Sequence, residues 1–433
     1  MRSGFVTLLC TTLIFVYTSM VTASVDFRFS LGVLDENRKA AFPFSPGFDI
    51  KKVALLAESL PSHSWEYGTA AEALLELYNP SISVFGDKPF PVPVYFRSEV
   101  KSLDYAASKI VLGDLLGTSP NALSDGAGAV GDPASLGVSA ILLGKTEPQY
   151  ALGAWSQQEY IVNRAPRWFN GAISQRADVA ELWSDWMYMA PPFLAYYAVD
   201  CLDEDLLKEA VRQCGLQRQV LQANLSDSTS YKGVWHHIIG PQSYEPGLWS
   251  TGNAWSAGGM TRVLATIMKA PSELTNGWLD DAVSTLTFYI KEILDGAIGS
   301  PHDDCLLRNY LNDTTTAHGF GEISGTSLLA AVAYRMAVLQ PSTFGEEYVL
   351  WADKVIETLA GDDAYGDPHV TANGTVTPAV NPLGWGDTKP WTAGSPEGQN
   401  FVLLMYVAWR DCIQAGVCAR HGGLARSSAK FRF

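Results

Sequence analysis

The sequence predicts an all-α protein built from paired helices, and three observations carry that reading. Most segments put apolar residues at three- and four-residue intervals, the spacing of a helix with one buried face. The connections alternate short turns with long loops rich in Gly, Pro, Asn and Asp, a rhythm that suits helical hairpins better than an alternating strand–helix sheet. The chain has 433 residues, no linker-like low-complexity stretch and no strict internal repeat. That length accommodates about a dozen helices in two concentric layers as one domain.

Taken in order, the first residues read as a secretory signal: Arg2 as the positive start, Phe5–Val16 as a short apolar run, and Val21-Thr22-Ala23 as a small-residue exit cut after Ala23. The run is too short for a membrane span. Val25–Phe29 alternates like one short N-terminal strand. Helical spacing follows at Lys51–Leu60, Ala70–Leu77, Tyr105–Leu116, Gln157–Asn163, Leu206–Leu221, Ala254–Met268, Leu279–Leu294, Ser324–Val338, Gly345–Leu359 and Gln399–Ala415. The long loops are Leu123–Ser135, Gly233–Thr251 and Ala360–Trp391. The organisation is therefore a signal peptide (1–23), one helical domain (24–418) and a basic, aperiodic tail (419–433) carrying Arg420, Arg426, Lys430 and Arg432.

Composition narrows the function. With 47% hydrophobic and 17% charged residues the chain is globular. A formal charge of −15 leaves no positive surplus to displace counterions, which argues against binding nucleic acid or an anionic membrane. The predicted destination is extracellular, where disulfides persist. Cys201, Cys214, Cys305, Cys412 and Cys418 remain after the signal, and Cys201–Cys214 and Cys412–Cys418 are the short-loop pairings. Glycosylation acceptors begin at Asn224, Asn312 and Asn373. No Cys/His spacing suggests zinc. His302-Asp303-Asp304 has the residue types of a metal ligand set, but short polar loop clusters are ordinarily solvated.

The chemistry is expected in Ala180–Ala195, where Asp185 sits among Trp183, Trp186, Met187, Tyr188 and Phe193. A carboxyl in such surroundings loses hydration, which favours its protonated form and suits a proton donor near neutral pH. Capping a helix is the ordinary alternative for a Ser-Asp pair. Other polar and aromatic strings stand at loop-to-helix junctions: Ser64–Thr69, Gly131-Asp132-Pro133, Asn170–Arg176, Gly233–His237, Gly247–Trp255, Glu322–Ser327 and Ser395–Phe401. Together they have the makings of a pocket at one end of a helical toroid.

The strings Trp183–Met189 with Pro192–Ala195, Gly252-Asn253-Ala254-Trp255, Glu322–Thr326 and Ser395–Gln399 occur in the order found in the unsaturated-uronyl hydrolases of the six-hairpin glycosidases, and the chain resembles that family, the unsaturated rhamnogalacturonyl hydrolases above all. The resemblance implies an (α/α)6 barrel, no metal or organic cofactor, an oligosaccharide substrate and no stable membrane association. It makes Asp185 the general acid and Asp132 a second pocket carboxylate. His237 is implied as a sugar or water contact, and Trp255 and Trp65 as aromatic walls. Two departures stand out: Thr251 occupies the usual Arg position, and Gln175-Arg176 lies where a Lys is usual, so Arg176 is the candidate sugar contact there. Glu322 and Glu397 read as carboxylates that satisfy N–H groups at helix starts. The implied reaction is protonation and hydration of a 4,5-unsaturated uronide. The alternatives are hydrolysis of a saturated uronide or neutral glycoside by the Asp132/Asp185 pair, and a non-catalytic carbohydrate-binding barrel.

Overall fold

The computed structural model describes residues 41–223 and 231–419. The predicted signal peptide, the strand at Val25–Phe29, the Asn224 acceptor and the tail from Arg420 onward lie outside the described residues.

Among the described residues, twelve helical units form two rings. The inner ring runs through α2 (Ser64–Tyr78), the 3-10 turn Asp132–Leu136 with α4 (Gly137–Gly144), α6 (Trp186–Met189) with α7 (Pro191–Cys201), α9 (Ser250–Lys269), α12 (Ile323–Leu339) and α14 (Pro396–Gln414). Each of these touches the next around the circle, and α14 returns to α2 and closes it. The outer layer is α1 (Ile50–Ser59), α3 (Lys101–Lys109), α5 (Pro148–Asn163), α8 (Glu204–Leu221), α11 (Leu279–Ile298) and α13 (Glu346–Leu359). Five inner helices pack on the outer helix that follows them. The last inner helix, α14, packs on the first outer one, α1, so the two ends of the chain lock the ring. A single-turn helix, α10 (Ser272–Thr275), lies between α9 and α11. This is the (α/α)6 barrel expected from the sequence.

Outer helices have one wet face, which is why their period was visible. Inner helices are covered on all sides, so α4 (GVSAILLG) and α7 (PPFLAYYAVDC) have lost the polar half of the pattern. Neither stood out in the sequence. Conversely, the helix expected over Tyr105–Leu116 stops at Lys109: Ile110 turns extended, and Val111 and Gly113 donate to the backbone of Leu123 and Ala122.

The far end of the axis is closed by charge. Glu76 on α2 receives Arg262 of α9 on one oxygen and Arg335 of α12 on the other, the latter at 2.7 Å. Arg335 also pairs with Asp411 of α14 at 2.6 Å, and Arg262 with Glu72 at 3.2 Å. Phe85 lies over both guanidinium groups. Four inner helices are thereby tied at their C-terminal halves.

Of the short-loop pairings, Cys412–Cys418 is a disulfide that folds the end of α14 back on itself. Cys201–Cys214 does not form. Cys214 faces the core in mid-helix and its thiol donates to the Ala210 carbonyl at 3.4 Å. Among the described residues no helix is long and apolar enough to cross a membrane.

Removing the shared carboxylate leaves each of two buried cations with one carboxylate in place of two. Glu76→Ala is expected to lower stability by about 3–5 kcal/mol, read as a lower urea midpoint with an unchanged slope. A loss below about 1 kcal/mol, the size of an exposed ion pair, would show that the plug does not hold the ring.

Candidate active site

The opposite end of the axis collects helix starts. Glu322 precedes α12 and accepts from the Ser324 and Gly325 N–H groups (both 2.6 Å) and from the Ser250 hydroxyl at the start of α9 (2.7 Å). Trp65, in the first turn of α2, donates its indole N–H to Glu397, in the first turn of α14, at 2.9 Å. Asp185 stands immediately before α6. Asp132 opens the 3-10 turn ahead of α4.

A two-residue ladder brings Asp185 and His237 together. Leu182 and Trp183 (β1) pair with Ile239 and Ile238 (β2), and the Ser184 N–H donates to the His237 carbonyl at 2.9 Å. Helix α9 presses on this turn from behind. A Cβ on Gly252 would stand 2.3 Å from the Ser184 hydroxyl, so only glycine fits there. Ser256 donates to the Ser184 carbonyl at 3.0 Å. The next residue of the motif, Asn253, accepts from the Trp235 N–H (2.7 Å) and donates to the Trp235 and Trp249 carbonyls, and so fixes the loop that carries His237.

The outcome is a chain of three groups. His237 Nε2 lies 3.5 Å from Asp185 Oδ2, and its Nδ1 donates to Glu245 Oε2 at 3.0 Å. The other Glu245 oxygen accepts from the Gly247 N–H at 2.9 Å. The imidazole is 1% exposed and is held by the rings of Trp249, Trp183 and Trp385. Burial disfavours its charged form, but the nearby charge of Asp185 and the hydrogen bond to Glu245 outweigh that and raise its pKa above the ordinary value. Asp185 itself keeps a side chain 17% exposed and accepts from Ser184 Oγ at 3.1 Å.

Asp132 is part of the same site. Gln175 donates to its Oδ1 at 2.7 Å and accepts from the Gly131 N–H at 3.2 Å. Burial pushes its carboxyl up to about 7, with the charge of Asp185 adding to the rise and Gln175 and Arg176 opposing it. Arg176 packs over Gly128, with its Nε 3.7 Å from Asp178 Oδ1, and is partly exposed. Trp65 is half-buried and stacks on His63 at 4.8 Å, a position open to a wall role.

Other expected contacts are placed differently. Trp255 is fully buried between Tyr188 and Phe401, a core residue in place of the expected pocket wall. Thr251 is fully buried too, its hydroxyl 3.5 Å from Glu322, and it braces a helix junction where a sugar contact was expected. His237 faces Asp185, and its ring is covered by tryptophans where a sugar contact was expected. Glu322 does satisfy helix-start N–H groups. Glu397 does not, because Ser395 accepts from the Gly398 N–H there. Glu245 has no sequence signal, because the Ile238–Glu245 bridge of the folded chain brings it to His237, and of the pair Gln175-Arg176 it is Gln175 that meets the remote Asp132.

The model of Glycosyl Hydrolase Family 88 matches residues 139–376, more than half of the chain and the region that holds Gln175, Asp185, His237, Glu245 and Glu322. The chain belongs to glycosyl hydrolase family 88. It is thus a glycoside hydrolase, and the non-catalytic reading falls away. Among solved structures, a possible member of glycoside hydrolase family 105 from Salmonella enterica is similar over 80% of this chain and 83% of that one, at 16% identity and a TM-score of 0.59. The unsaturated glucuronyl hydrolase of Bacillus sp. GL1 is similar over 86% and 98%, at 14% identity and a TM-score of 0.54. An unsaturated glucuronyl hydrolase specific for heparin is similar over 90% and 100%, at 12% and 0.56. At these identities the likeness is one of fold. Comparison with curated sequences gives no match.

The raised carboxyl of Asp132 has a consequence for this family 88 chain's stability. The folded protein keeps that proton to about 7, against 3.8 for an ordinary Asp. Between those values the folded state binds more protons than the unfolded one, so this group's contribution to stability falls as pH rises through the window. Asp132→Asn cannot ionise. It is expected to melt a few degrees above wild type at about pH 8 and to lose that advantage at about pH 4. Thermal melts across pH check this, and an advantage that grows toward acid would contradict it.

Proposed function

We propose that the protein removes a 4,5-unsaturated uronic acid from the non-reducing end of oligosaccharides left by a polysaccharide lyase acting on pectin or rhamnogalacturonan. The observation that carries the reading is the Glu245–His237–Asp185 chain at the mouth of a family 88 barrel, with Asp132 holding a proton alongside. Two structural neighbours named as unsaturated glucuronyl hydrolases lend support.

In this mechanism Asp185 gives a proton to C4 of the C4=C5 bond. The cation left at C5 is shared with the ring oxygen. Water attacks C5 and returns a proton to Asp185, so one carboxyl is acid first and base second. The resulting hemiketal opens and the aglycone leaves from C1. The buried imidazole, 3.5 Å from Asp185, orients the carboxyl that gives and takes back this proton, and Glu245 holds that ring in place. Trp65 and Arg176 offer a ring face and a cation to the sugar. Asp132, half-protonated near neutrality, also favours a second reading, in which it is the acid and Asp185 the partner carboxylate on a saturated uronide or neutral glycoside. Secretion is part of the proposal, supported by the Cys412–Cys418 disulfide and by exposed Asn312 and Asn373.

Turnover of an unsaturated disaccharide removes its near-ultraviolet absorbance. Asp185→Asn is expected to slow that loss by about 10²–10⁴-fold. Wild-type turnover in the variant would contradict the assignment, and turnover of saturated uronides alone would favour the second reading. Glu245→Gln takes a negative charge from beside His237 and so lowers the imidazole pKa. The alkaline limb of kcat/KM is expected to move toward lower pH by about one unit, and an unmoved limb would remove Glu245 from the relay.

A further inference from the structure

Glu397 stands out among the carboxyls of the mouth because neither the helix it opens nor the reaction above uses it. It is 3% exposed. Its Oε1 accepts from the Trp65 indole, and its Oε2 is buried with no hydrogen-bond partner among the described residues. A buried carboxyl oxygen without a partner is costly unless something outside the protein completes it. The neighbouring Trp65 ring is half-buried, the surface on which a sugar would lie.

We propose that Glu397 stays a neutral carboxylic acid and donates a hydrogen bond from Oε2 to the carboxylate of a bound uronic acid, making it the residue that selects uronate over neutral sugars. The inference deepens the functional reading above and rests on it for the class of sugar. Three facts support it. The charged groups acting on Glu397 are Asp185, Glu66 and Glu322, all carboxyls. Burial first, and the charge of Asp185 next, hold its carboxyl well above the usual range, against the one opposing hydrogen bond from Trp65. A protonated acid can donate where an ionised one can only accept. Second, the starts of α2, α9, α12 and α14 meet around it, linked by the Trp65–Glu397 and Ser250–Glu322 bonds, and their aligned peptide dipoles favour an anion. Third, Thr251 at the start of α9 is fully buried with its hydroxyl turned to Glu322, so it is not open to a uronate carboxylate and leaves that contact to another donor.

The test is calorimetric titration of the full chain with galacturonate and with its methyl ester. Wild type is expected to prefer the acid by about tenfold or more, the worth of one charge-assisted hydrogen bond. Glu397→Gln keeps an N–H donor and the shape and should keep the preference, whereas Glu397→Ala should lose it. Circular dichroism establishes that each variant is folded, and Glu397→Gln carries the test if the alanine variant is not. Equal binding of acid and ester by wild type, no binding of the acid, a preference that survives in Glu397→Ala, or one lost in a folded Glu397→Gln would each overturn the proposal. These readouts involve no turnover, so failure of the hydration reaction would appear separately, in the disaccharide assay.

Discussion

All six inner segments of this barrel begin at the same end, and that single constraint shapes the molecule. Each start leaves backbone N–H groups and a positive dipole end that the helix cannot satisfy itself. Packed side by side, they must be served by side chains that fit into one small area and carry negative charge or oxygen acceptors. Glu322 answers the need directly, bonding two N–H groups of its own helix and the hydroxyl of the next. Asp185, Asp132 and Glu397 stand in equivalent places without spending themselves on capping. The fold thus gathers carboxyls at the mouth and leaves some of them available for chemistry.

The two ends of the axis give the same residue types different partners, although burial lifts Glu72 at the closed end to about 7 as it does Asp132 at the mouth. At the closed end each carboxylate meets a guanidinium, and the network ties four helices together. At the mouth the nearest partners are neutral donors: an amide for Asp132 and an indole for Glu397. Neutral hydrogen bonds do not offset the loss of water around a charge, so these groups keep their protons. A site stocked with protonated carboxyls can hand protons on and can still admit an anionic sugar. The cost is borne in stability, which the charged plug at the other end helps to supply.

What could be read from the sequence follows the same division. Helices with one wet face carry a visible period, and Asp185, Asp132 and His237, which the family resemblance singled out, meet at the mouth. The short buried helices Gly137–Gly144 and Pro191–Cys201 have no periodic signal to read, whereas the longer inner helices keep one. Glu245 and Gln175 carry no local signature because their partners, His237 and Asp132, are contacts made only by the folded chain. Trp255 misled for a related reason: an aromatic at a helix start looks the same whether it lines a pocket or fills the core beneath it. Glu397 looked like a cap because nothing in the string Ser395-Pro396-Glu397-Gly398 reveals that the serine already does that job.

The central claim is that Asp185 protonates carbon and that water adds to C5. Its most direct test is one turnover of an unsaturated uronyl disaccharide in water enriched in oxygen-18, quenched at once and analysed by mass spectrometry and carbon NMR. Hydration places the heavy oxygen on C5 of the released uronate and leaves C1 unlabelled. Label at C1, with the double bond intact at the moment of cleavage, would mean direct attack on the glycosidic carbon and would contradict the account.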